Sequence, residues 1–108
     1  MSGLRITTAA EGTTHRVVLT GELDHETAPE LERTLARLPQ AAGHRLVIDL
    51  SGLALCDSSG LTTFIVARER ALAAGTGFEL TAPPPPVSRM LRVTGLDRVL
   101  LARHPQDA

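Results

Sequence analysis

Residues 44–56, HRLVIDLSGLALC, run directly into residues 57–75, DSSGLTTFIVARERALAAG, and the change of period between them decides the architecture. Leu46, Val47, Ile48 and Leu50 form a nearly continuous apolar run, the pattern of a central strand covered on both faces. From Ser59 to Ala74 the period changes. Leu61, Phe64, Ile65, Ala71 and Leu72 fall on one side of a helical wheel, and Gly75 closes the segment. Arg68 lies within that stripe, with a stem that can pack while its guanidinium reaches outward.

The alternation extends in both directions. Leu4–Thr8 and His15–Thr20, parted by Glu11, Gly12 and Thr13, read as a hairpin. Ala28, Leu31, Leu35 and Leu38 recur at helical spacing. Thr27 and Glu30 offer a capping box, and Pro29 falls in the first turn, where a missing N–H costs nothing. GFELTA, residues 77–82, is a further strand, and Pro83–Pro86 should run extended. Val87, Met90, Leu91 and Thr94, closed by Gly95, predict a short third helix, RVLLA (98–102) a last edge strand, and residues 102–108 a frayed tail. The expected fold class is therefore α/β: a mixed β-sheet with helices packed against it and an initial β-hairpin, one domain over residues 1–108.

Composition narrows the function. A chain of 108 residues, 43% hydrophobic, sustains one core. Its net charge of −1, with both signs interspersed, and its 2% aromatic content argue against direct binding to nucleic acid. All 11 basic residues are Arg, which excludes a P-loop lysine and a Schiff-base nucleophile. Cys56, the single cysteine, reads as a buried structural thiol in a reducing compartment. No apolar run approaches a membrane span, so the expected location is cytoplasmic, without a membrane partner. His15, His25, His44 and His104 have no spacing that makes a metal-ligand set, and no cofactor motif is present.

Two junctions carry candidate chemistry. Asp57-Ser58-Ser59-Gly60 is what helix capping alone would choose, with Gly60 allowing close backbone approach. One cap needs one side chain, however, and three polar candidates stand in a row at the carboxyl end of a central strand, where open α/β sheets place their sites. A serine there is well placed to carry a phosphate. Asp24-His25-Glu26 precedes the first helix and favours its dipole. An Asp24, His25, Ser58 triad is conceivable, yet the Gly-x-Ser-x-Gly elbow is absent. On the second helix, Thr62, Thr63, Val66 and Arg70 are expected to face outward as a docking surface.

The set formed by Gly21-Glu22-Leu23-Asp24, Asp49-Leu50 ending the third strand, Asp57-Ser58-Ser59-Gly60-Leu61 and Thr94-Gly95-Leu96 resembles the anti-sigma factor antagonists of the STAS family, over about residues 4–101. The resemblance implies a STAS fold and a non-enzymatic partner switch. Ser58 is then the serine phosphorylated by an anti-sigma factor that is itself a kinase and supplies the ATP site, and a PP2C-type phosphatase removes the phosphate. The unphosphorylated antagonist binds the anti-sigma factor and releases a sigma factor. The resemblance also sets the Asp24 loop beside Ser58, which makes Asp24, with Asp57, Ser59 and Gly60, part of the partner-binding surface. The alternative within the family is a non-catalytic scaffold subunit of an ABC transporter or signalling assembly. The proline run and the short, polar end of the chain depart from the family pattern; the latter bears on dimerisation and tail contacts.

Overall fold

The computed structural model of the protein describes residues 3–101. Strands β1 (Leu4–Glu11), β2 (Thr14–Leu23), β3 (Arg45–Cys56) and β4 (Gly77–Thr81) form one sheet in the order β1-β2-β3-β4. The first pair is antiparallel and the other two are parallel, so the sheet is mixed and opens with the expected hairpin. Helix α1 (Ala28–Arg37) links β2 to β3, and α2 (Ser58–Ala73) links β3 to β4. Helices α3 (Pro85–Thr94) and α4 (Asp97–Leu100) follow.

All four helices pack on the same face of the sheet. Val17, Leu19, Leu46, Ile48, Leu50, Phe78 and Leu80 from the strands share one core cluster with Leu31, Leu35, Phe64, Leu91 and Leu100 from the helices. Alternate residues of each strand join it as far as Leu50, as the two-residue pleat requires; beyond it Leu53 and Cys56 join at three-residue spacing, where the register of β3 against β2 is irregular. The apolar run in β3 is thus covered by helices on one face only. Val47 points to the other face and is buried all the same, because its register partners Arg16 and Glu79 flank it. These belong to charged pairs, Arg45–Glu79 at 2.6 Å and Arg16–Asp49 at 4.0 Å, and long polar side chains shelter an apolar neighbour with their stems.

Several local expectations are corrected. Strand β3 does not end at Asp49-Leu50 but runs on to Cys56, with irregular register against β2 between Val18 and Thr20 and between Gly21 and Glu22. The capping box is not formed: the Thr27 hydroxyl donates to the Glu22 carbonyl (2.9 Å) and accepts from the Asp24 amide (2.9 Å), facing away from the helix it precedes. Pro85 and Pro86 are not extended linker but the first turn of α3, where the N–H groups have no intrahelical acceptor to lose. The expected edge strand over RVLLA is helix α4, since a short apolar run has no period of its own to separate the two states. The expected tail, residues 102–108, lies outside the described residues. Gly21, at φ +107°, is a required glycine: a Cβ there would overlap the Gly3 carbonyl oxygen, which accepts from the Glu22 amide at 2.6 Å.

Candidate functional site

The site is built where β2 and β3 end side by side. Leu23 pairs with Cys56 in the sheet, and the Asp57 amide donates to the Leu23 carbonyl at 3.0 Å, so the Asp24 loop and the Ser58 turn leave the sheet as neighbours. This is the adjacency that the resemblance implied.

Asp57 caps α2. Its Oδ1 accepts from the Ser59 amide (2.8 Å) and the Gly60 amide (3.3 Å), and its carbonyl accepts from Leu61 (3.1 Å). Asp57 therefore takes up two of the first-turn donors that would otherwise serve an added anion. Ser58 is the first helical residue. It is exposed, its carbonyl accepts from the Thr62 hydroxyl at 3.0 Å, and its own hydroxyl is committed to no partner among the described residues. Ser59 is half-buried, and its carbonyl accepts from the Thr63 hydroxyl at 3.0 Å.

Gly60 is buried, and a Cβ there would come within 2.7 Å of the Cys56 Sγ and 2.8 Å of Leu23 side-chain carbons. Its role in the fold is to let α2 start hard against the two strand ends, with little of its surface left exposed. Burial and the adjacent Asp57 charge push the Cys56 thiol up to about 12, as expected of a structural sulfur.

Across from this turn, Asp24 organises its own loop. Its Oδ1 accepts from the amides of Thr27 and Glu26, both at 3.0 Å, and these bonds, the Thr27 amide foremost, hold its carboxyl below the usual carboxylate range. Beside it opens a cleft of about 520 Å³ with four carboxylates, Glu22, Asp24, Glu26 and Glu30, and one cation, Arg33. His25 hydrogen-bonds neither Asp24 nor Ser58, so the conceivable triad is not assembled here.

The expected outward face of α2 is partly corrected. Thr62, Val66 and Arg70 are exposed, but Thr63 is only 2% exposed and its hydroxyl also reaches Glu32 Oε1 at 3.3 Å. Helix α1 lies against α2 on that side, so α2 is buried along two flanks, and one helical wheel drawn for one partner misses the second. Leu55, 45% exposed and paired with Glu22 at the strand end, is an apolar residue of this surface that the sequence reading passed over. Its signal was the run Leu53-Ala54-Leu55-Cys56, where two leucines two apart cannot both face the core once the register slips between Leu53 and Leu55.

The family model described as Mlab, STAS domain matches residues 6–102. The chain is 28% identical over 93 residues to the anti-sigma-B factor antagonist of Staphylococcus epidermidis, covering 86% of each chain. An anti-sigma factor antagonist from Mycobacterium paratuberculosis superposes with a TM-score of 0.75 at 28% identity, over 96% of this chain and 89% of that one. An anti-sigma-factor antagonist (STAS) domain protein from Planctomyces limnophilus superposes at 0.76 with 20% identity, over 89% and 86% of the two chains, a likeness of fold. The family match spans the hairpin, both loops at the sheet end and all four helices, and on that ground the chain belongs to the STAS domain family.

Proposed function

We propose that the protein is an anti-sigma factor antagonist whose Ser58 is phosphorylated by a partner anti-sigma kinase, supplier of the ATP, and dephosphorylated by a PP2C-type phosphatase. The observation that carries the reading is the Ser58 hydroxyl, exposed and uncommitted at the first residue of α2, beside a second loop that is itself ordered. The antagonists from Staphylococcus epidermidis and Mycobacterium paratuberculosis, each 28% identical, support the class. In this reading Asp24 and Leu55 flank Ser58 in the contact surface, Asp57 and Ser59 shape the turn, and Thr62, Val66 and Arg70 extend the surface along α2. The domain performs no chemistry of its own, and no helix among the described residues is long and apolar enough to cross a membrane.

A phosphate on Ser58 adds about −1.5 to −2 charges. At an effective dielectric near 20, an acidic group of the partner about 6 Å away is repelled by ~3 kcal/mol per unit charge, roughly a hundredfold in affinity. Desolvating the dianion under a docked partner adds to this. Because the Asp57 carboxylate already occupies two first-turn amides, the phosphate stays in solvent, where a docked partner must meet it.

The test is binding to the cognate anti-sigma kinase. Ser58→Ala is expected to bind whether or not ATP is supplied, and Ser58→Asp to bind at least tenfold more weakly. Equal binding by the two variants, phosphate mapped to another residue, or recovery of a transporter ATPase subunit in place of the kinase overturns the reading.

A further inference from the structure

On the far half of α2, about 12 Å along the helix axis from Ser58, a pocket of about 130 Å³ opens between α1 and α2. Its base is buried, formed by Leu35 and Ala67, and its walls include Leu38 and Val66, the latter 42% exposed. The volume is comparable to that of apolar cavities that take up a benzene-sized group, but this one is open to solvent, and its lining includes one anion and one cation, Glu32 and Arg70. Neither is in an ion pair among the described residues; Glu32 receives only the Thr63 hydroxyl, at 3.3 Å. A compact space with an apolar base and a polar rim, where Gln40 and the exposed, opposite charges of Glu32 and Arg70 border it without satisfying one another, suits a ligand with a branched aliphatic body and both charges at one end.

We propose that this pocket is a binding site for a free aliphatic α-amino acid. The Arg70 guanidinium receives the carboxylate, the Glu32 carboxylate receives the ammonium, and the side chain enters between Leu35, Leu38, Val66 and Ala67. A fatty acid would leave Glu32 unmatched beside its carboxylate, and an amine would leave Arg70 unmatched. The site does not depend on the Ser58 reading, although Val66 and Arg70 belong to both, so a bound amino acid would compete with a partner that docks along α2.

The experiment is titration of L-leucine into the ¹⁵N-labelled full chain. The expected result is a saturable shift of the Ala36, Val66, Ala67 and Arg70 amides. Binding should be at least about tenfold weaker for 4-methylpentanoate, which lacks the ammonium, and for 3-methylbutylamine, which lacks the carboxylate, the loss expected for one charged hydrogen-bond set. Arg70→Gln and Glu32→Gln should each weaken leucine binding by a similar factor while the sheet resonances stay in place. No saturable shift, equal binding of leucine and 4-methylpentanoate, or unchanged affinity in both variants overturns the assignment. So do shifts at these residues produced by an anti-sigma partner but not by leucine.

Discussion

Cys56 and Ser58 stand two positions apart and are chemical opposites. The thiol is buried against Gly60 and pushed up to about 12, whereas the hydroxyl is exposed and uncommitted. A thiol that ionises so late is a poor nucleophile at neutral pH, so Ellman's reagent is expected to leave Cys56 unmodified in the native chain and to react at once in guanidinium. The same shift sets a sign. The folded state holds the proton more tightly than the unfolded state, so the thiol's contribution to stability is complete below its unfolded value of about 8.5 and is lost as pH rises toward 12. Unfolding midpoints should therefore fall on the alkaline side, and less so in Cys56→Ala relative to its own value at neutral pH. Burial of this cysteine was legible in the sequence, because it ends an apolar strand. The commitment of Asp24 to its own loop was not, because a carboxylate that bonds the amides two and three residues on looks in sequence like any exposed acid.

Elements were legible where their period was long. Helix α2, strand β2 and the first half of β3 declared themselves through their apolar patterns, while the second half of β3, four-residue α4 and the proline-led start of α3 did not. Thr63 was misplaced because α1 covers a second flank of α2, and only the tertiary arrangement shows which flank that is. Within α2, cap and packing can be separated by mutation. Asp57→Ala removes the acceptor for the Ser59 and Gly60 amides and should lower stability by about 0.5–2 kcal/mol. Gly60→Ala drives a methyl into Cys56 and Leu23 and should cost about 1–3 kcal/mol, despite the better helix propensity of alanine. Urea unfolding of both variants checks this; a Gly60→Ala chain more stable than the parent would mean that the contact is not as tight as described.

At the scale of the whole molecule, four helices share one face of one sheet, and the opposite face carries paired charges over Val47. The α/β class and the mixed sheet were readable from the strand–helix alternation, but the one-sidedness was not, since Val47 is as apolar as its core-facing neighbours. This architecture predicts how a charge at Ser58 is felt. Its favourable term, the helix dipole, is worth about 0.3–1 kcal/mol, and the Asp57 carboxylate opposes it. Ser58→Asp should then shift the thermal midpoint by no more than about 4–8 °C, with amide shifts confined to the first turn of α2 and the Asp24 loop. Shifts spreading through β4 or α3 would show a global rearrangement instead.

Helix α2 bears Ser58 at its first residue and sinks Phe64, Ala67 and Ala71 into the core. Under the proposed switch, a mark attached at its tip meets a helix anchored along its length, so the molecule would keep no conformational record of having been marked. In the proposed switch the duration of the signal would therefore be fixed outside the domain, by the enzymes that write and erase, and the same copy could be reused for as long as its core holds.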